Sequence, residues 1–236
     1  MSSSAGGFFE NCSIKSNFGW LESSRLDPIT QLLMSDPLIA LIETIRQIVP
    51  LSETDTTLIK SVFQPYRLKK GEYFVQQGQV CQHVGFIHTG LVRYFVNQDG
   101  DEKIYDFGLE NDFVCDYESF LPQRPCRRTI QAIEESDLLV ISLSNLQRLF
   151  AQLTHGERFG RVAIEQIFVK TIGQLVSLYT DAPELRYQAF LENYPTLSTR
   201  ITQYHIASYV GVKPQSLSRI RARWAGKHYS RLSSPE

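Results

Sequence analysis

A chain of 236 residues with 42% hydrophobic and 21% charged content has material for one large or two modest domains with real cores. A net charge of −1 excludes a surface that binds polyanions everywhere, and no apolar run approaches the roughly 20 residues that span a bilayer. The Ser/Gly-rich start, where Phe8-Phe9 meets Glu10 and Asn11 at once, lacks the basic and apolar regions of a signal peptide, so a cytoplasmic location is expected.

Residues 1–25 show no hydrophobic period and are expected to be poorly ordered. From Asp27-Pro28 the pattern turns helical, with Ile29, Leu32, Leu33, Leu38, Leu41, Ile42 and Ile45, and stops near Pro50. Ser52 with Asp55 three residues on resembles a capping box with Asp in place of Glu or Gln, and it opens a short helix carrying Leu58, Ile59 and Val62.

After Pro65 the pattern changes to short β segments bounded by turns. They are Tyr66 to Leu68, Tyr73 to Val75, His83 to His88, Leu91 to Val96, Lys103 to Phe107, Phe113-Val114, Arg128 to Ile133 and Leu138 to Ile141. Asp99-Gly100 between two such runs is a hairpin signal. Strands this short and regular predict a barrel, roll or sandwich.

Ser144 to Phe150 reads as a short helix and Glu157 to Tyr179 as a long one, apolar on several sides and so expected to be covered on both, one side by a partner. Asp181-Ala182-Pro183 breaks it and marks a hinge, and Glu184 to Asn193 forms the next helix. Ile201 to Trp224 follows. Ile206, Ala207 and Val210 keep helical spacing, Gly211 provides a positive-φ stop, and Lys213-Pro214 opens a second helix. Leu217, Ile220 and Trp224 form its inward stripe, leaving Gln215, Ser216, Arg219 and Arg223 outside. This is a helix-turn-helix of the kind that places its second helix in a DNA major groove. From Thr196 to Glu236 the net charge is +6, so the rest of the chain carries −7. A basic end on a neutral chain points to a local nucleic-acid surface. Ala225 to Glu236 contain no clear strand pair, and Lys227, His228 and Arg231 are expected to touch phosphate as a loose tail.

Other chemistries lack their residues. Cys12, Cys81, Cys115 and Cys126 form no C-x-x-C pair, and the histidines His83, His88, His155, His205 and His228 keep no metal-binding spacing. No nucleophile elbow, phosphate loop or dinucleotide fingerprint occurs, so neither a metal site nor an enzyme is expected.

A roll punctuated by Gly71, Gly78 and Gly90, a long apolar helix and a terminal helix-turn-helix resemble, over roughly Leu51 to Trp224, the Crp/Fnr family of bacterial transcription regulators. The resemblance implies an α+β fold: an N-terminal cyclic-nucleotide-binding-like β-roll (a jelly roll) with flanking helices (26–154), a dimerisation helix (155–180) and a helix-turn-helix DNA-binding domain (181–236). It implies a cytoplasmic homodimer through the 157–179 helix, with double-stranded DNA and RNA polymerase as partners and no membrane. Gln215, Ser216 and Arg219 are expected at base edges; Thr202, Gln203, Lys213, Arg221 and Arg223 are expected at phosphates.

Two places depart from the family's ligand pocket. Where a Gly-Glu-Leu step is usual stand Cys115, Asp116 and Tyr117, and where an Arg-Ser pair is usual stand Cys126 and Arg127. A one-residue slip restores Arg127, although a slip in a strand reverses its faces, and Arg127 with Arg128 reads equally as a solvated pair. The effector-pocket candidates are therefore Cys115, Asp116, Cys126, Arg127 and Arg128, with no bound cofactor and no cyclic nucleotide expected. Cys115 facing Cys126 across a vacated pocket is a weaker, oxidation-sensing alternative. The rival reading for the chain is a sensor whose output is protein contact.

Overall fold

The computed structural model describes residues 36–232, with side chains described through Trp224. The expectations for residues 1–25, for Ile29 to Leu33 and for the side chains of Lys227, His228 and Arg231 fall outside that range. The helical stretch read from Asp27 contains a start that the reading passed over. Asp36 caps α1 (Pro37–Arg46) by accepting from the Leu38 amide at 2.8 Å, with Pro37 in the first turn.

α2 (Glu53–Val62) opens on the expected capping box: the Ser52 amide donates to Asp55 at 2.9 Å and the Asp55 amide donates to Ser52 Oγ at 3.1 Å. Asp55 is buried, and its second oxygen accepts from the Thr154 amide and hydroxyl at 2.9 and 3.0 Å. Burial raises this carboxyl, but the hydrogen bonds from Thr154 and Ser52 outweigh it and hold it at about 2.

All eight β segments form. β1 (Gln64–Leu68), β8 (Ser136–Ser142), β3 (His83–Thr89) and β6 (Phe113–Val114) make one sheet in that order. β2 (Tyr73–Val75), β7 (Thr129–Ala132), β4 (Val92–Gln98) and β5 (Asp101–Gly108) make the other, and every pairing is antiparallel. The β4–β5 hairpin closes through Asp99 and Gly100 at φ 54° and 88°, as a two-residue turn with both centres left-handed. A short helix that the reading missed, α3 (Tyr117–Phe120), follows β6.

α4 (Leu143–Gln152) and α5 (Gly156–Thr180) follow, then α6 (Pro183–Asn193), the four-residue α7 (Leu197–Arg200), α8 (Gln203–Val210) and α9 (Pro214–Leu232). α9 continues eight residues beyond the Trp224 at which the sequence reading ended it; residues 225–232 are helix, not tail. Within the single chain only Gly156 and Phe159 of α5 are buried.

The apolar residues sort into two cores. One joins the roll interior to α1, α2, α4 and Phe159. The other lies outside the second sheet, where Leu91, Phe95, Ile104, Phe107 and Leu109 meet Tyr187, Phe190, Tyr194, Leu197 and Ile206. Side chains alternate across a strand, so Val92 and Tyr94 face inward while Leu91 and Phe95 meet the helices. β4, whose Val92 to Val96 stretch shows no strict polar–apolar alternation, is thus a strand covered on both faces.

Candidate nucleic-acid interface and effector groove

Local chemistry sets the angle between α8 and α9. Thr202 caps α8 by accepting from the His205 amide at 3.3 Å, and Gly211 ends it at φ 75°, ψ 37°. A residue with Cβ resists that left-handed geometry. Leu217 and Ile220 are buried, whereas Lys213, Gln215, Ser216, Arg219, Arg221 and Arg223 are all exposed, as are Thr202 and Gln203. All eight of these residues therefore lie on accessible surface. Arg223 also pairs with Glu184 of α6 at 3.1 Å.

Contacts invisible to sequence reading fasten this unit to the roll. Arg200 donates to Glu110 at 2.7 and 2.9 Å, to Glu134 at 2.7 and 3.2 Å, and to the Gly90 carbonyl at 3.3 Å. Asp106 of β5 accepts from Tyr194 Oη at 2.7 Å and from Lys170 of α5 at 2.9 Å. Ser208 of α8 accepts from the Ile104 amide and donates to the Glu102 carbonyl, both at 2.9 Å, covering an edge of β5. Arg186 donates to the Val210 carbonyl at 2.8 Å and to the Asp181 carbonyl at 2.7 Å, joining the end of α5 to the helix-turn-helix turn. Its charge suits two helix C-termini.

A groove of ≈ 1800 Å³ runs between the roll and α5, lined in part by Tyr105, Cys115, Tyr117, Glu118, Arg128 and Lys170. Of the five pocket candidates, Cys115 and Arg128 line it, and Asp116, Cys126 and Arg127 do not. Cys126 is buried in a turn, where its thiol donates to the Gln76 carbonyl at 2.9 Å and the Arg128 carbonyl at 3.1 Å. It therefore does not face Cys115. Cys115 lies against Cys81, with the sulfurs 4.0 Å apart. Arg127 points to solvent and Arg128 is two-thirds buried, so the two are not an equivalent solvated pair. Both donate to Glu118. Asp116 is buried with no hydrogen-bond partner on either carboxylate oxygen; Arg128 Nη2 is 3.6 Å from one of them.

Residues 65–153 match the Cyclic nucleotide-binding domain family. No curated protein matches the chain by sequence. Among solved structures, the chain resembles a CooA mutant from Carboxydothermus hydrogenoformans at 16% identity and TM-score 0.61, covering 79% of this chain and 84% of that one. FixK2 from Bradyrhizobium japonicum is similar at 18% identity and TM-score 0.57, with 71% and 86% covered. CLP of Xanthomonas campestris, a c-di-GMP responsive global regulator, is similar at 15% identity and TM-score 0.55, with 75% and 93% covered. The fold is the α+β fold of Crp/Fnr-type regulators.

Of the two neighbouring arginines, the one that lines the groove is Arg128, which the ungapped alignment placed two residues beyond the expected arginine. Glu118 spends that charge. Among the described residues no group of three His, Cys, Asp or Glu side chains is placed to hold a metal ion, and no helix is long and apolar enough to cross a membrane.

Proposed function

We propose that the protein is a sequence-specific, DNA-binding transcription regulator that acts as a homodimer through α5, with 26–154 as sensor, 155–180 as dimerisation helix and 181–236 as reading head. The carrying observation is a helix-turn-helix with a left-handed Gly211 turn whose second helix exposes Gln215, Ser216 and Arg219 over a buried Leu217 and Ile220. Arg offers a bidentate match to guanine and Gln to adenine, while Lys213, Arg221, Arg223, Thr202 and Gln203 suit phosphate.

The long helix supports a dimer. Ile164, Ile167, Phe168, Ile172, Leu175, Val176 and Leu178 are exposed along it, and Phe168 is 64% exposed. Contiguous apolar surface on this scale favours covering by a second copy. Two reading heads would then enter successive major grooves about 34 Å apart on a near-palindromic site, and RNA polymerase would be the downstream partner in the cytoplasm.

The effector is not expected to be cyclic AMP, because Glu118 occupies both arginines and Asp116 replaces a longer carboxylate. Selection of bound DNA from a random pool tests the reading. Enrichment of paired half-sites one helical turn apart, weakened by salt, is the expected result. Absence of salt-dependent DNA binding would overturn it and leave a sensor acting through protein contact.

A further inference from the structure

The Cys81–Cys115 pair belongs to neither the reading head nor the arginine–glutamate cluster. Cys81 is wholly buried just before β3, and Cys115 is half-buried just after β6, on the wall of the groove. Their sulfurs are 4.0 Å apart and both thiols are free. A disulfide needs about 2 Å, so a closure of about 2 Å separates the reduced pair from a bond. Cys126 has its own carbonyl partners and takes no part.

We propose that Cys81 and Cys115 form a reversible thiol-modification site whose substrate is a small hydroperoxide entering by the groove. The Cys115 sulfur attacks one peroxide oxygen; an S–O bond forms, the O–O bond breaks, and the oxygen that leaves takes the thiol proton and departs as water or an alcohol. Cys81 then attacks the resulting sulfenic sulfur. The Cys81 thiolate forms the S–S bond, the S–O bond breaks, and the departing hydroxide takes a proton from solvent to become water. Two thiols lose two electrons and the peroxide gains them.

The surroundings divide these roles. The Cys115 thiol beside it lowers Cys81 against the effect of burial, to about 7, so a thiolate is available there near neutral pH as base and then as nucleophile. Burial holds Cys115 far above the ordinary thiol range, and its sulfur lies against that of Cys81. The Cys81 amide also donates to Ser119 of α3 at 2.9 Å. Closing the pair therefore pulls on the short helix that carries Glu118, and so on the groove wall facing α5. This consequence for DNA rests on the regulator reading; the chemical step does not.

Full-length protein treated with hydrogen peroxide, alkylated, digested and mass-mapped is expected to yield one cross-linked peptide pair containing Cys81 and Cys115. That pair lacks two hydrogens relative to the reduced peptides and is restored by dithiothreitol. Cys126→Ser keeps the link, and Cys115→Ser, at a half-buried position that tolerates it better than Cys81 would, loses it. Cys81→Ala provides the second variant, with folding checked by thermal melting. Absence of the link, linkage through Cys12 or Cys126, or conversion of Cys115 only to sulfinic acid would overturn the proposal. DNA affinity should shift about fivefold or more on linkage and not in Cys115→Ser. An unmoved affinity in a linked, DNA-binding protein refutes the regulatory half, whereas failure to bind DNA in either state refutes the regulator reading and leaves the cross-link standing.

Discussion

Arg200→Met tests how the reading head is held. In the native fold Arg200 fills its guanidinium with two carboxylates and a carbonyl, and its side chain is 22% exposed, against 27% for Glu110 and 34% for Glu134. Breaking a fully buried pair costs about 3–5 kcal/mol because the remaining charge has no partner. Solvent reaches all three groups here, so about 2–3 kcal/mol is the appropriate loss, or about 4–12 °C in Tm for a domain of this size. Thermal unfolding at fixed protein concentration measures it.

The triple variant Arg200→Met, Glu110→Gln, Glu134→Gln removes the orphaned charges and should regain part of the loss. pH gives a second check. Burial raises the Glu110 carboxyl, but Arg200 outweighs that and leaves it below its usual 4.5. A depressed carboxyl stabilises the fold above its unfolded value and loses this as pH falls through the folded one. The gap between wild type and Arg200→Met should therefore be full at neutral pH and shrink below about 4.5. An unchanged Tm, or a triple variant worse than the single one, would refute the argument.

Arg219→Ala should weaken specific DNA binding by about 1–3 kcal/mol and relax preference at one base pair per half-site; equal weakening on all sequences would assign Arg219 to phosphate instead. Leu175→Glu or Ile167→Glu should yield monomers in sedimentation, because either buries an unpaired charge between helices, and a monomeric wild type at micromolar concentration would remove the basis for the dimer. Asp55→Asn should cost about 2 kcal/mol by disturbing both the capping box and the Thr154 contacts. That loss should fade as pH drops from the ordinary 3.8 toward about 2, where the wild-type carboxyl itself protonates. Calorimetric titration with cyclic AMP should show no binding tighter than about 10 μM, and a tighter constant would mean that Glu118 yields its arginines to phosphate.

Local signals were legible from the residues alone. Short β-rich runs and their turns located all eight strands, Ser52 and Asp55 located a cap, and Gly211 with Pro214 located the two helices α8 and α9. Each depends on contacts within a few residues, where backbone sterics and hydrogen-bond reach leave few alternatives. The exposed face of α9 followed from the same 3.6-residue period.

The missed features depend on pairs distant in sequence. Arg200 and Glu110 are 90 residues apart, and Tyr194 and Asp106 are 88 apart. Cys81 and Cys115 are brought together because β3 and β6 pair, a register that neither cysteine's neighbours reveal. The alignment placed Cys126 where a cation was wanted, yet the fold turns Cys126 into a buried loop and presents Arg128 to the groove. One residue along a strand reverses its face, so no motif spacing can decide which arginine points inward. Composition and local pattern determined most of the elements and the exposed basic face of α9. Which charges meet, which thiols face each other and what docks on the outer sheet were decided by packing, because only the closed chain sets those distances.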